Sequence, residues 1–237
     1  MEFLQKIEEN IKKYGYHITL VRDGQNPNFS YTIGLKEVFG FELIIAGGYV
    51  SVKFYEDLFN AVVQSLHSGF LPEGFELKTD FENWENIGLR LVDESWRELT
   101  AFGVGDFYND NTIKIYQLYP LDYNFIDIPN MTKKWDKLDP IWCWLGLEWN
   151  RKIPISAYAI TNLEFLKGGK ITEVMRWEEG YWEMFVGPGP DVLDKDVRVL
   201  PISTFIGADP TLEAVLRLSE GDGIWRKSED LEWHEWK

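Results

Sequence analysis

Few residues in the chain are of a type that does covalent chemistry. Cys143, between Trp142 and Trp144, is the one cysteine. A nucleophilic thiol needs a base, which His17, His67 or His234 can supply only through the fold. A structural cysteine among aromatic rings is therefore expected, since free Cys is among the most buried residue types. One thiol excludes an internal disulfide framework and a zinc site built on several thiolates, and three widely spaced histidines do not suggest a metal centre. The chain has no GxSxG elbow, no GxxxxGK[ST] phosphate loop, no GxGxxG opening a helix and no HExxH. Gly187-Pro188-Gly189-Pro190 looks glycine-rich, but its prolines lack the amide donors that an anion cradle needs, so it reads as a turn. The expectation is a protein without catalytic residues, metal or cofactor.

Carboxylates are abundant. Adjacent pairs such as Glu8-Glu9, Asp93-Glu94, Glu178-Glu179 and Glu229-Asp230 read as solvated faces, because acid–base catalysis needs two carboxyls in differently polarised environments. Asp80, Glu82 and Glu85 are interleaved with Phe81 and Trp84. An acidic rim around an aromatic anchor suits a basic partner, the ring supplying affinity and the charge steering. The tail from Asp230 to Trp236 repeats that character with Glu232, Trp233, Glu235 and Trp236. A third candidate is a small-ligand pocket formed by Tyr31, Thr32, Glu42 and Gln117.

The composition bounds what these residues serve. The 237 residues include 24 Lys plus Arg against 39 Asp plus Glu, a formal charge of −15. Such a surface repels phosphate backbones and anionic lipids, which argues against nucleic-acid and membrane partners and favours a basic protein. With 16% aromatic residues and 11 Trp, the chain is no disordered acidic tail. Charges interrupt Met1 to Tyr14, so no signal-peptide core is present, and no run approaches the ~18 apolar residues of a membrane span. A cytoplasmic location is expected.

Elements that would carry these residues can be read from periodicity. Phe3, Leu4, Ile7, Ile11 and Tyr14 fall at helical spacing, and Gly15 is a natural stop. Residues 16–21, 29–35 and 41–46 read as strands, with a polar turn from Asp23 to Asn28. Residues 52–66 favour a helix, 80–106 give mixed signals, 113–119 alternate as a strand and 122–140 are loop-like. Beyond Pro154, residues 155–160, 170–177, 181–186 and 197–201 read as short strands, with Ile224-Trp225-Arg226 as a last one. Asp209 is placed to cap a helix with Pro210 as its first residue. Strands and helices mix without a βαβ rhythm, which predicts an α+β class: two small mixed units with mainly antiparallel sheets, residues 1–150 and 151–237.

Two stretches carry resemblances. Tyr14-Gly15-Tyr16, Phe29 to Leu35, Phe41 to Ile45 and Gln117 to Pro120 resemble a bacterial domain-of-unknown-function family with a YTxGL … PEL … G pattern and a later Q-x-x-P. Phe41 stands where that family commonly has proline, and Tyr119 where it commonly has tryptophan. Val174 to Trp225 is similar to an immunity-type domain of bacterial polymorphic toxin systems through Trp182, Gly187, Asp209, Pro210, Leu212, Gly221 and Arg226. The second resemblance implies an antitoxin that neutralises a cognate, basic toxin domain by occlusion. A pocket protein or enzyme using Tyr31 and Glu42, or a housekeeping adaptor, are the alternatives. Oligomeric state is not legible.

Overall fold

The computed structural model describes residues 2–22, 24–48, 51–228, 230 and 232–236. Asp23, Glu229 and Leu231, singled out above, lie outside the described residues. The chain forms two compact units. One comprises Met1–Val21, Asn28–Asn124 and Ile128–Asp136, the other Arg22–Pro27, Phe125–Asp127 and Lys137–Lys237. Residues 137–150, grouped by sequence with the first part, thus fold with the second. Trp142, Cys143 and Trp144 are buried there in a short 3-10 turn.

The first unit opens with α1 (Glu2–Tyr14), which buries Ile7 while Leu4 and Tyr14 stay exposed. It continues through β1 (His17–Val21), β2 (Phe29–Ile33), α2 (Lys36–Phe39) and β3 (Phe41–Ala46). Then come α3 (Val52–His67), β4 (Glu76–Lys78), β5 (Asn86–Leu91), α4 (Glu94–Thr100), α5 (Phe102–Tyr108) and β6 (Lys114–Pro120). The sheet order is β1-β2-β3-β6-β5-β4, and only β3 and β6 run parallel. Every residue of β2 and β3 is buried, so both strands are continuous apolar runs with a few polar residues that must find partners inside. α3 starts at Ser51, whose hydroxyl accepts from the Phe54 amide at 3.1 Å. It buries Tyr55, Leu58, Phe59, Val62, Val63 and Leu66, the single stripe that a 3.6-residue period gives.

The second unit holds β7 (Tyr158–Asn162), α6 (Leu163–Leu166), β8 (Glu173–Arg176), β9 (Tyr181–Phe185), β10 (Val197–Pro201), α7 (Ile202–Ala208), β11 (Gly223–Trp225) and β12 (His234–Glu235). Its order is β10-β7-β9-β8-β11-β12, again with one parallel pair, β7 and β9. The fold is α+β, in two mixed sheets. Trp182, Met184, Val174, Ala159 and Leu200 point into the core, where Phe165 and Phe205 stack with centroids 4.6 Å apart. The expected helix after Asp209 is a 3-10 helix, Pro210–Arg217, and Asp209 caps it by accepting from the Thr211 amide at 3.0 Å. α7 was not anticipated, because its β-branched Ile202-Ser203-Thr204-Phe205-Ile206 has weak intrinsic helix propensity. Its residues Ile202 to Ile206 are all buried, and this packing outweighs the local preference. Among the described residues no helix is long and apolar enough to cross a membrane.

Candidate functional site

The proposed pocket residues are packed solid. Tyr31, Thr32, Glu42 and Gln117 are all buried in the first unit. Thr32 Oγ1 donates to Glu42 Oε2 at 2.6 Å, while Glu42 Oε1 accepts from the Gly34 amide at 2.8 Å, the Lys36 amide at 3.0 Å and the Tyr108 hydroxyl at 3.0 Å. Burial pushes the Glu42 carboxyl up from its ordinary range, and the four donors oppose that shift. Gly34 sits at φ +123°, and a Cβ there would crowd the Tyr16 backbone at 3.0 Å. Glu42 thus fastens the turn between β2 and α2 to β3. Gln117 accepts from Arg90 Nε at 2.7 Å and the Met131 amide at 3.3 Å, and donates to the Pro129 carbonyl at 3.0 Å. It ties the 129–131 loop to β6. The four residues expected to line a pocket are thus buried, with Glu42 held by four donors from the fold itself.

The Asp80–Glu85 cluster divides. Asp80 and Glu82 are exposed, but Trp84 is only 1% accessible and packs on Phe54 at 5.8 Å. Glu85 turns back to accept from the Asn83 amide at 3.1 Å. Trp84 is therefore a core residue, not a surface anchor, because the apolar face of α3 needs its ring. The lone thiol is equally internal: burial and the nearby Asp139 charge push Cys143 up, away from the nucleophilic thiolate. His17 bonds Asn10 at 2.8 Å, His67 packs on Phe39 at 4.8 Å and His234 on Trp225 at 4.9 Å. Among the described residues no group of three His, Cys, Asp or Glu is placed to hold a metal.

The residues tied to the second resemblance also converge. Arg226, buried, donates through Nη2 to Asp209 Oδ2 at 2.7 Å, through Nη1 to Thr211 Oγ1 at 2.9 Å and through Nε to the Ile171 carbonyl at 2.9 Å. Trp233 of the predicted tail lies over that guanidinium at 4.4 Å. Half of the tail thus folds back onto the core, while Glu232 and Glu235 remain exposed.

Trp236 leads to an arrangement that the sequence reading missed. Register fixes which strand residues share the sheet's outer face: Glu173 stands opposite Phe185 and Trp225, Met175 opposite Glu183 and Gly223, and Tyr158 opposite Tyr181. His234 pairs with Trp225, which puts Trp236 on the same face beside Gly223. Trp177 and Trp236 are each 47% exposed, and Tyr158 and Tyr181 stack at 5.6 Å. A cleft of about 460 Å³ opens on this face, lined by Glu173, Met175, Trp177, Glu183, Phe185 and Trp236. No Lys or Arg occurs among the described strand residues of the face. A signal was present: in Glu173-Val174-Met175-Arg176-Trp177 and Tyr181-Trp182-Glu183-Met184-Phe185 each alternating phase contains aromatic or apolar residues, so some of them must be left outside the core.

The first unit offers a contrast. A cleft of about 640 Å³ is lined by Glu94, Arg97, Glu98, Asp106, Asp110 and Thr112, and two of its carboxylates are ion-paired. Lys36 pairs with Asp110 at 3.2 Å and Arg97 with Glu94 at 3.5 Å. Hydrogen bonds from Thr112 and then from Lys36 lower the Asp110 carboxyl to about 2. Glu173 and Glu183 have no cation beside them among the described residues: Glu173 Oε2 accepts from the Gly189 amide at 3.0 Å, and Glu183 Oε1 from the Tyr181 hydroxyl at 3.2 Å. The aromatic face of the second sheet is the better candidate site.

Residues 10–124 match the family model described as Domain of unknown function (DUF4262). The matched stretch holds all six strands of the first sheet and both ends of the Glu42 network. It stops short of the strands that build the aromatic face. No curated protein and no solved structure matches the chain.

Proposed function

We propose that the protein acts by stoichiometric binding of a basic protein, as an immunity protein that masks a toxin domain. The observation that carries this reading is the outer face of the second sheet, which bears Tyr158, Tyr181, Phe185 and Trp225 on β7, β9 and β11 with Trp177 and Trp236 just beyond β8 and β12; among its described strand residues it has no Lys or Arg, and no described cation pairs with Glu173 or Glu183. A contiguous exposed apolar patch on a folded chain marks an interaction surface. Aromatic anchors at its centre supply affinity, and the charge of −15 steers a basic partner to it. The resemblance over Val174 to Trp225 supports a partner of the toxin class.

The test is co-expression with the product of the adjacent upstream gene. That product alone should arrest growth, and the pair should purify as a complex in which growth is restored. The association rate should fall steeply with ionic strength. A harmless product that forms no complex overturns the reading.

A further inference from the structure

Among the described residues, no cation pairs with Glu173 or Glu183. In the β8–β9 ladder Glu173 faces Phe185 and Glu183 faces Met175, so the two carboxylates are diagonal neighbours on one face. Diagonal positions lie roughly 7–8 Å apart, close enough for two like charges to repel. Each carboxylate has one oxygen engaged by a neutral donor, Gly189 N or Tyr181 Oη. Both residues line a cleft together with Met175, Trp177, Phe185, Gly189 and Trp236. A cation entering this cleft would meet ring faces and two anionic acceptors together.

We propose that this cleft seats one arginine side chain of the bound partner, its guanidinium against the tryptophan rings and forked toward Glu173 and Glu183; the inference rests on the protein-binding reading above. Guanidinium suits the place better than ammonium. It is planar and weakly hydrated, stacks on indole faces, and presents paired donors to carboxylates, whereas ammonium is a compact and strongly hydrated point charge. A second copy of this chain does not fit, since it brings another −15 and its own pair of carboxylates to the same spot.

The site can be read without the partner. N-acetyl-arginine amide is titrated into the ¹⁵N-labelled full chain, following the indole N–H resonances of Trp177 and Trp236, each assigned by its Trp→Phe variant. The expected result is a saturable shift at these two indoles, at least ~3-fold weaker for N-acetyl-lysine amide and absent for the neutral citrulline amide. Glu183→Gln should weaken arginine binding ~2–5-fold and Trp177→Ala ~3–10-fold. Both side chains are partly exposed, and Glu183→Gln removes a like-charge repulsion, so folding should survive; the unchanged resonances of buried Trp182 check this. No shift, or equal shifts from citrulline or lysine amide, overturns the arginine assignment. The co-expression complex separates the two claims. If it forms but is indifferent to Trp177→Ala and Glu183→Gln, the arginine seat fails while protein binding stands. If arginine amide binds but no complex forms, the seat stands and the toxin-masking reading fails.

Discussion

Truncating Asp209 tests whether the second unit depends on one buried ion pair. Arg226 has 1% side-chain exposure, and its guanidinium is bonded on every nitrogen, to Ile171, Thr211 and Asp209. Asp209 retains 19% exposure. The two partners are therefore unequal: Asp209→Ala leaves a cation buried without its anion, whereas Arg226→Met leaves an anion that water partly reaches. Breaking a buried pair from the side that strands a charge costs about 3–5 kcal/mol. Asp209→Ala also removes the cap on the Thr211 amide, worth about 1 kcal/mol. The expected loss is thus about 4–6 kcal/mol for Asp209→Ala and about 1–3 kcal/mol for Arg226→Met. The double variant should fall well short of their sum, with a coupling of at least about 1.5 kcal/mol. Burial by itself would raise the Asp209 carboxyl, but Thr211 and Arg226 outweigh it and hold it below its ordinary 3.8. The pair's stabilisation is therefore complete above that pH and is lost as pH falls through the depressed folded value. Urea unfolding at pH 7 and pH 3, followed by far-UV circular dichroism and fitted separately for each unit if two transitions appear, measures all four species. An Asp209→Ala loss under ~1 kcal/mol, or additivity with Arg226→Met, would refute the reasoning.

Glu42 makes the opposite pH prediction. Its folded pKa is raised above the ordinary 4.5, so wild-type stability should fall relative to Glu42→Gln as pH rises from about 4.5 through the folded value, measured by denaturant unfolding between pH 4 and 8. Glu42→Ala, which orphans the buried donors of Gly34 and Thr32, should cost about 2–4 kcal/mol at pH 7 in the same experiment. Trp84→Ala should lose about 3–5 kcal/mol in thermal or urea unfolding, whereas Asp80→Asn with Glu82→Gln should stay within about 0.5 kcal/mol. Gly207→Ala should lower the second unit's melting temperature, at a cost of about 1–3 kcal/mol, because a Cβ there meets the Pro140 carbonyl, with Pro140 C at 2.8 Å.

The central strands of the first sheet were legible because β1, β2, β3 and β6 are β-branched or aromatic runs bounded by turn residues, and α3 shows one apolar stripe. What failed did so where tertiary contacts overrule local pattern. α7 is written largely in strand-like residues and is held helical by the burial of Ile202 to Ile206, with Gly207 against Pro140. The division at residue 150 followed composition, yet Trp142 to Trp144 are consumed by the second core. For the site, the tail's acidic and aromatic character was visible, but its two tryptophans have different fates. Trp233 stacks on Arg226 and Trp236 faces outward, a difference of side that only pairing with β11 assigns. The carboxylates of β8 and β9 were hidden for the same reason, since side-chain alternation says that two faces exist and not which one is covered.

The charge and the aromatic face explain each other better than either stands alone. An open sheet with Tyr158, Trp177, Trp225 and Trp236 on its outer side would, on a neutral protein, be a self-association hazard. A charge of −15 opposes that by setting copies against one another. Glu173 and Glu183 act at closer range, since an apolar surface presenting two carboxylates with no cation paired to them among the described residues cannot be covered by an apolar partner without desolvating both. A partner carrying its own cation escapes that cost, and a second copy of this chain does not. On the proposed reading, the same two residues would repel the wrong occupant and bind the right one, which is how specificity arises as a difference between affinities.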